Sequence, residues 1–163
     1  MSHEVRTPMN AIIGFSSLLD NENLKVEDKK RYISLVRRNG DTLLTLINDI
    51  LDISLIEANQ LKLNKENFCV DQILSELFSY YKLSNKKQIS LEYINADSNS
   101  KHFVFNDPIR FRQIMTNLIS NALKYTEKGS VKFGYLIDNN EIEFFVEDTG
   151  IGISGQEQKN IFD

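Results

Sequence analysis

The 163-residue sequence predicts an α+β chain in two parts. The first is a helical hairpin that pairs with a second copy as a four-helix bundle, and the second is an α/β sandwich. Three observations carry this expectation. Residues 1–60 hold apolar positions at helical spacing only. From about Leu61 onward, stretches that alternate with period two are interleaved with further helical stretches. Glycine (seven) and proline (two) are too few for a loop-dominated fold.

The bulk numbers narrow the classes. Hydrophobic content of 41% and charged content of 26% are globular values. A net charge of -4 leaves no footprint for nucleic acid or an anionic membrane. The single cysteine, Cys69, excludes an intrachain disulfide and fits a reducing compartment. Its neighbours in NFCVDQI predict a small core residue. No apolar run reaches the roughly 20 residues that span a bilayer, and no signal-peptide pattern opens the chain.

The first helix is read from Met9, Ile12, Ile13, Phe15, Leu18 and Leu19, and Asp20-Asn21-Glu22-Asn23 breaks it. The second runs from about Val26 to Asn59. Val36, Gly40, Leu43, Ile47, Ile50 and Ser54 recur in steps of four and three, a heptad seam widened by Ile33, Leu44 and Leu51. Such a stripe exceeds what one antiparallel neighbour covers, which predicts a homodimer. The alternative is that the C-terminal half covers it within one chain. A domain joint is expected near residues 58–67, dividing the chain into 1–60 and 61–163.

LKLNKENF then reads as a short strand, and Asp71 as the cap of a helix over VDQILSELFSYYKL. QISLEYI and HFVFND read as strands. SVKFGYLID and EIEFFVED form a hairpin about Asn139-Asn140. TGIGISGQEQKNIFD is a glycine-rich loop entering a helix. These elements predict one sheet with helices on one face.

Between those strands lies DPIRFRQIMTNLISNALKYTEKG, a helix from Asp107 or Pro108 to about Tyr125. Phe111, Ile114, Met115, Leu118, Ile119, Ala122 and Leu123 are expected to be buried against the sheet. Gln113, Asn117 and Asn121 share another face, continued by Lys124 and Tyr125. Asparagine is a weak helix former, so something other than helix stability selects it here. Its neutral oxygen suits Mg²⁺ that arrives with phosphates, and a lysine one turn on can meet a phosphate oxygen. The bland alternative is a solvated polar face. In VEDTGIGI, Gly150 and Gly152 let the backbone approach a flat ligand, and Asp148 can accept a hydrogen bond from an exocyclic amine. The loop is neither a Walker A nor a Rossmann fingerprint.

Together these stretches resemble the catalytic core of a sensor histidine kinase of a two-component system. SHEVRTPMNAIIGFSSLL is similar to the family's H box, and LINDILDISLIEA to the partner helix of its dimerisation domain. NLISNALKYT is similar to the N box, EDTGIGI to the first glycine box, and IFD to the start of the phenylalanine box. The second half resembles the ATP-binding fold of gyrase, heat-shock chaperone and mismatch-repair ATPases.

The resemblance implies roles. His3 would accept the phosphoryl group from ATP, with Glu4 as general base. Thr7 would orient water for dephosphorylating a response regulator. Pro8 would kink the first helix and make the site a hinge. Asn121, supported by Asn117, would hold Mg²⁺. Lys124 would contact phosphate, Tyr125 would line the nucleotide site, and Asp148 would read adenine beside Gly150 and Gly152.

The implied partners are a second copy of the chain and a receiver domain, separate or fused, with no nucleic acid or direct membrane contact. The implied location is cytoplasmic, with inner-membrane anchoring of a longer parent protein as one arrangement. The family's ATP lid and second glycine box would follow Asp163, so the chain is expected to be part of something longer, and this stretch alone is expected to be inactive for want of the lid. Tyr125 stands where phenylalanine is commoner. Competing readings are a scaffold with a decayed ATP site and a clamp-type ATPase. Intact His3, Asn121 and Asp148 speak against the first, and the H box and heptads against the second.

Overall fold

The computed structural model describes residues 2–21, 23–85, 89–95, 101–139 and 141–159. The chain divides into two compact units, Met1–Lys62 and Leu63–Asp163.

Unit 1 is a helical hairpin of α1 (Ser2–Leu19) and α2 (Val26–Glu57). Helix α1 continues through Pro8, which is buried. Phe15 stacks on Tyr32 at 5.8 Å, joining the two helices near their connection. Helix α2 ends in a Schellman motif. Asn59 takes φ 53°, its N–H bonds the Ile56 carbonyl at 2.9 Å, and the Gln60 N–H bonds the Leu55 carbonyl at 2.8 Å. Asparagine tolerates that left-handed conformation, so the helix stops there. No described residue of α2 is buried, and Ile33, Leu44, Ile47 and Leu51 are each more than 40% exposed.

Unit 2 contains β1 (Glu66–Cys69), α3 (Val70–Ser84), β2 (Ile89–Ile94), β3 (Phe103–Asn106), α4 (Pro108–Tyr125), β4 (Gly129–Asp138) and β5 (Glu141–Asp148). The expected single sheet is two. Strands β1 and β3 form an antiparallel ribbon, and β2-β4-β5 form a mixed sheet with β2 parallel to β4. The core between sheet and helices is built from Ile73, Leu74 and Leu77 of α3, Met115 and Ile119 of α4, and Phe133 and Tyr135 of β4. Val131, Phe133 and Tyr135 alternate on β4 and are fully buried, so strand periodicity sets which face meets the helices. Gly134 is required where β4 passes β2, because a Cβ there would fall on the Ile94 carbonyl oxygen.

Several expectations are corrected. The strand predicted from Leu61 begins only at Glu66, because the Asn64 N–H is drawn instead to Asp107 Oδ2 at 2.9 Å. Asp71 does not cap α3. The cap position is Cys69, and Asp71 in the first turn serves as a half-buried acceptor. Its Oδ1 lies 2.7 Å from the Tyr135 hydroxyl, 3.3 Å from that of Tyr93 and 2.8 Å from Asn95 Nδ2, and its Oδ2 accepts the His102 N–H at 2.9 Å. Burial of aromatic hydroxyls demands such an acceptor. Cys69 is half-buried at the edge of this network, not in the core.

On α4, Met115, Ile119 and Ala122 are buried as expected, but Ile114 and Leu118 are 58% and 45% exposed, since the stripe is wider than the sheet it meets. Asn139 takes φ 45° at the β4–β5 turn, and Asn140 lies outside the described residues. The helix expected after the glycine loop is described only as a 3-10 turn, Glu157–Lys159. The phenylalanine-box residues 161–163 lie outside the described residues.

Candidate nucleotide site and phospho-acceptor helix

Helix α4 starts where its sequence says it should. Asp107 Oδ1 accepts the N–H groups of Ile109 and Arg110 at 3.0 and 3.1 Å, and Pro108 opens the first turn. Donation by the Arg110 and Asn64 backbones holds the Asp107 carboxyl below the usual aspartate range. Fixed in this way at its N-terminus and along its buried face, α4 carries its C-terminal turns to the loop that follows β5.

A cavity of about 580 Å³ lies between them, lined by Asn121, Tyr125, Asp148, Gly152, Ile153 and Glu157 together with the apolar Leu118, Ala122, Val146 and Ile151. Apolar walls with a few convergent polar groups are the usual make-up of a small-molecule site. Asp148 Oδ1 accepts the Gly150 N–H at 2.8 Å and lies 3.5 Å from Thr126 Oγ1. Both donors meet the same oxygen, which orients the carboxylate. Gly150 packs so closely that a Cβ would stand 2.6 Å from the Tyr125 carbonyl oxygen and 2.7 Å from Asp148 Oδ1. Gly152 takes φ 69°, which favours glycine. At the rim, Glu157 accepts the Ser154 hydroxyl at 2.6 Å. That hydroxyl, and then the Ser154 backbone, hold its carboxyl below the ordinary range.

Of the residues singled out from sequence, Asn121, Tyr125, Asp148 and Gly152 line this cavity, and Gly150 shapes the loop behind it. Asn117 is exposed one turn earlier on α4 and is not in the lining. Lys124 reaches over the Tyr125 ring, 4.8 Å from its centroid. Sequence reasoning missed Thr126, fully buried behind Asp148, and Leu118, Val146, Ile151, Ile153 and Glu157. Thr126 directly follows Tyr125, so a polar residue closing the helix was the available signal.

No group of three or more His, Cys, Asp or Glu gathers into a metal cluster among the described residues. The neutral Asn121 oxygen in the cavity lining fits a cation that brings further ligands with it on phosphates.

On α1, His3, Glu4 and Thr7 are all exposed, and the Thr7 hydroxyl donates to the His3 carbonyl at 3.1 Å. The four-residue spacing keeps the threonine on the same helix face as the histidine. No helix among the described residues is long and apolar enough to cross a membrane.

A hairpin of helices with an exposed histidine, followed by an α/β unit with a cavity between an asparagine-bearing helix and a glycine loop, defines a class of phosphotransfer protein. Residues 1–59 match the His Kinase A (phospho-acceptor) domain, and residues 106–163 match the histidine kinase-, DNA gyrase B-, and HSP90-like ATPase family. The two matches together make the chain a sensor histidine kinase catalytic core, a phospho-acceptor domain joined to an ATPase domain.

Among curated relatives, the sensor protein GacS of Pseudomonas syringae pv. syringae is 34% identical over 168 aligned residues, covering 99% of this chain and 18% of GacS. The chain thus spans under a fifth of that relative. Full-length ShkA, solved in complex with AMPPNP, is 29% identical with a TM-score of 0.67, over 95% of this chain and 33% of ShkA. ThkA, solved in complex with the response regulator protein TrrA, shares the fold at 22% identity and a TM-score of 0.69, over 99% of this chain and 47% of ThkA.

Proposed function

We propose that the protein carrying this chain is an ATP-dependent protein-histidine kinase that phosphorylates itself on His3 and passes the phosphoryl group to an aspartate of a response regulator. The observation that carries the reading is the cavity joining Asn121 of α4 to Asp148 and Gly152 of the loop, in an ATPase-family region that follows a phospho-acceptor region with exposed His3. The ShkA–AMPPNP and ThkA–TrrA complexes support a nucleotide ligand and a receiver partner by analogy.

In this reading, Asp148 accepts the exocyclic amine of adenine, and Tyr125 and Ile151 cover the base. Lys124 contacts phosphate. Asn121, with Asn117 in support, would hold Mg²⁺, and that ion would supply neutralisation of phosphate charge. An imidazole nitrogen of His3 attacks the γ-phosphorus as the bond to the ADP oxygen breaks, and Glu4 takes the imidazole proton. The receiver aspartate then displaces the histidine nitrogen. Thr7, one turn along from His3, orients a water that attacks the receiver's aspartyl phosphate in the separate phosphatase reaction, releasing inorganic phosphate and the free aspartate.

The working unit is a homodimer, supported by the uncovered apolar stripe of α2 and by the phospho-acceptor family match. The domain assignment is 1–60 for dimerisation and phosphotransfer and 61–163 for ATP binding, in the cytoplasm.

Binding of a fluorescent ATP analogue to the full-length protein tests the site. Asp148→Asn reverses the hydrogen-bonding sense toward the adenine amine and is expected to weaken binding about 10- to 100-fold. Unchanged binding would remove the site assignment.

A further inference from the structure

Strand β5 pairs with β4 through Asp148 opposite Val131. The next pair in that register is Thr149 with Ser130. One half of it is ordinary, since the Thr149 N–H donates to the Ser130 carbonyl at 3.1 Å. The other half is not. The Ser130 N–H, which in a continued antiparallel ladder would meet the Thr149 carbonyl, instead donates to the Thr149 side-chain Oγ1 at 3.0 Å. That hydroxyl also lies 3.4 Å from the Ser130 carbonyl oxygen. The side chain therefore stands in for its own main chain, and the backbone leaves the sheet at Thr149 without stranding the Ser130 donor.

The opposite strand is shaped for this. Gly129, at the start of β4, takes φ 114°, and a Cβ there would fall on Thr149 Oγ1. Only glycine leaves the space the hydroxyl occupies. The residue on either side of Thr149 is part of the cavity loop. Asp148 lines the cavity, and the Gly150 N–H returns to Asp148 Oδ1 at 2.8 Å.

We propose that Thr149, seated against Gly129, is a positioning residue that latches the strand end and so presents the Asp148 carboxylate and the following glycines in the nucleotide-binding arrangement. The proposal rests on the nucleotide reading of the cavity. Thr149 touches no nucleotide. It acts by keeping the loop in its competent conformer before ligand arrives, and apparent affinity falls in proportion to the fraction of loop so held.

The test is the dissociation constant of a fluorescent ATP analogue for the full-length protein, read beside its thermal unfolding midpoint. Thr149→Val, equal in shape but without the hydroxyl, is expected to weaken binding about tenfold while the midpoint moves by only about 2 °C. Thr149→Ser, which restores the hydroxyl, is expected to bind like the parent. Gly129→Ala, which displaces the hydroxyl from the other side, is expected to match Thr149→Val. Asp148→Asn is the control. If it weakens binding as expected while Thr149→Val binds normally, the latch is overturned and the nucleotide site stands. Equal weakening in Thr149→Val and Thr149→Ser also overturns it, because the hydroxyl would then not be the working group. If Asp148→Asn binds normally, the nucleotide reading itself fails, and the latch with it.

Discussion

Asp71 shows how one half-buried carboxylate can organise the groups around it. Burial alone would raise its pKa, but donation by the His102 backbone, Tyr135 and Tyr93 outweighs this, and the carboxyl titrates below the ordinary aspartate value of 3.8. The same contacts push the Tyr93 and Tyr135 hydroxyls up, chiefly through burial and then through Asp71 itself. The sign for stability follows directly. The unfolded carboxyl takes its proton near 3.8 and the folded one only lower, so the stabilisation is whole above about pH 4 and is lost as pH falls through the folded pKa. Asp71→Asn is expected to destabilise the fold by roughly 1–3 kcal/mol at neutral pH and to flatten the acid limb of its stability profile. Denaturant melts at pH 7 and pH 3.5 check both, and equal acid sensitivity in the two proteins would contradict this account. Nothing in the sequence marks Asp71 for that role. An aspartate opening a helical run reads as a cap, and its true partners stand 22, 31 and 64 positions away.

Elements were legible where their pattern is local. The hairpin β4–β5 and the helices α1, α2 and α4 follow the expected spans closely, because period and caps are written in adjacent residues such as Asp107-Pro108 and Asn59. The division of strands between two sheets was not legible, since pairing of Phe68 with Val104 and of Leu91 with Val131 is a long-range choice. Helix α2 makes its own prediction. Leu44, Ile47 and Leu51 are exposed at 62%, 42% and 55%, and the proposed dimer would bury this stripe against a second copy of the hairpin. Each side chain buried there contributes about 1.5–3 kcal/mol. Replacing Ile47 and Leu51 together by aspartate is expected to convert a dimeric full-length protein to monomer in sedimentation, with helix content retained. A dimer that survives both changes would contradict the seam.

At the scale of the whole molecule, the two units divide the chemistry. One presents a histidine on an exposed helix face, and the other a cavity built from α4 and a glycine loop. Four of its lining residues were readable, because Asn121, Tyr125, Asp148 and Gly152 lie in two short motifs. Its apolar walls were not, since Leu118 reads as core by helical spacing and Val146 by strand alternation. The central claim joins the two units in one reaction, and labelling tests it most directly. The full-length protein is incubated with γ-labelled ATP beside His3→Gln. The account predicts acid-labile, alkali-stable label on the parent protein and none on His3→Gln. Equal label on both proteins would contradict it.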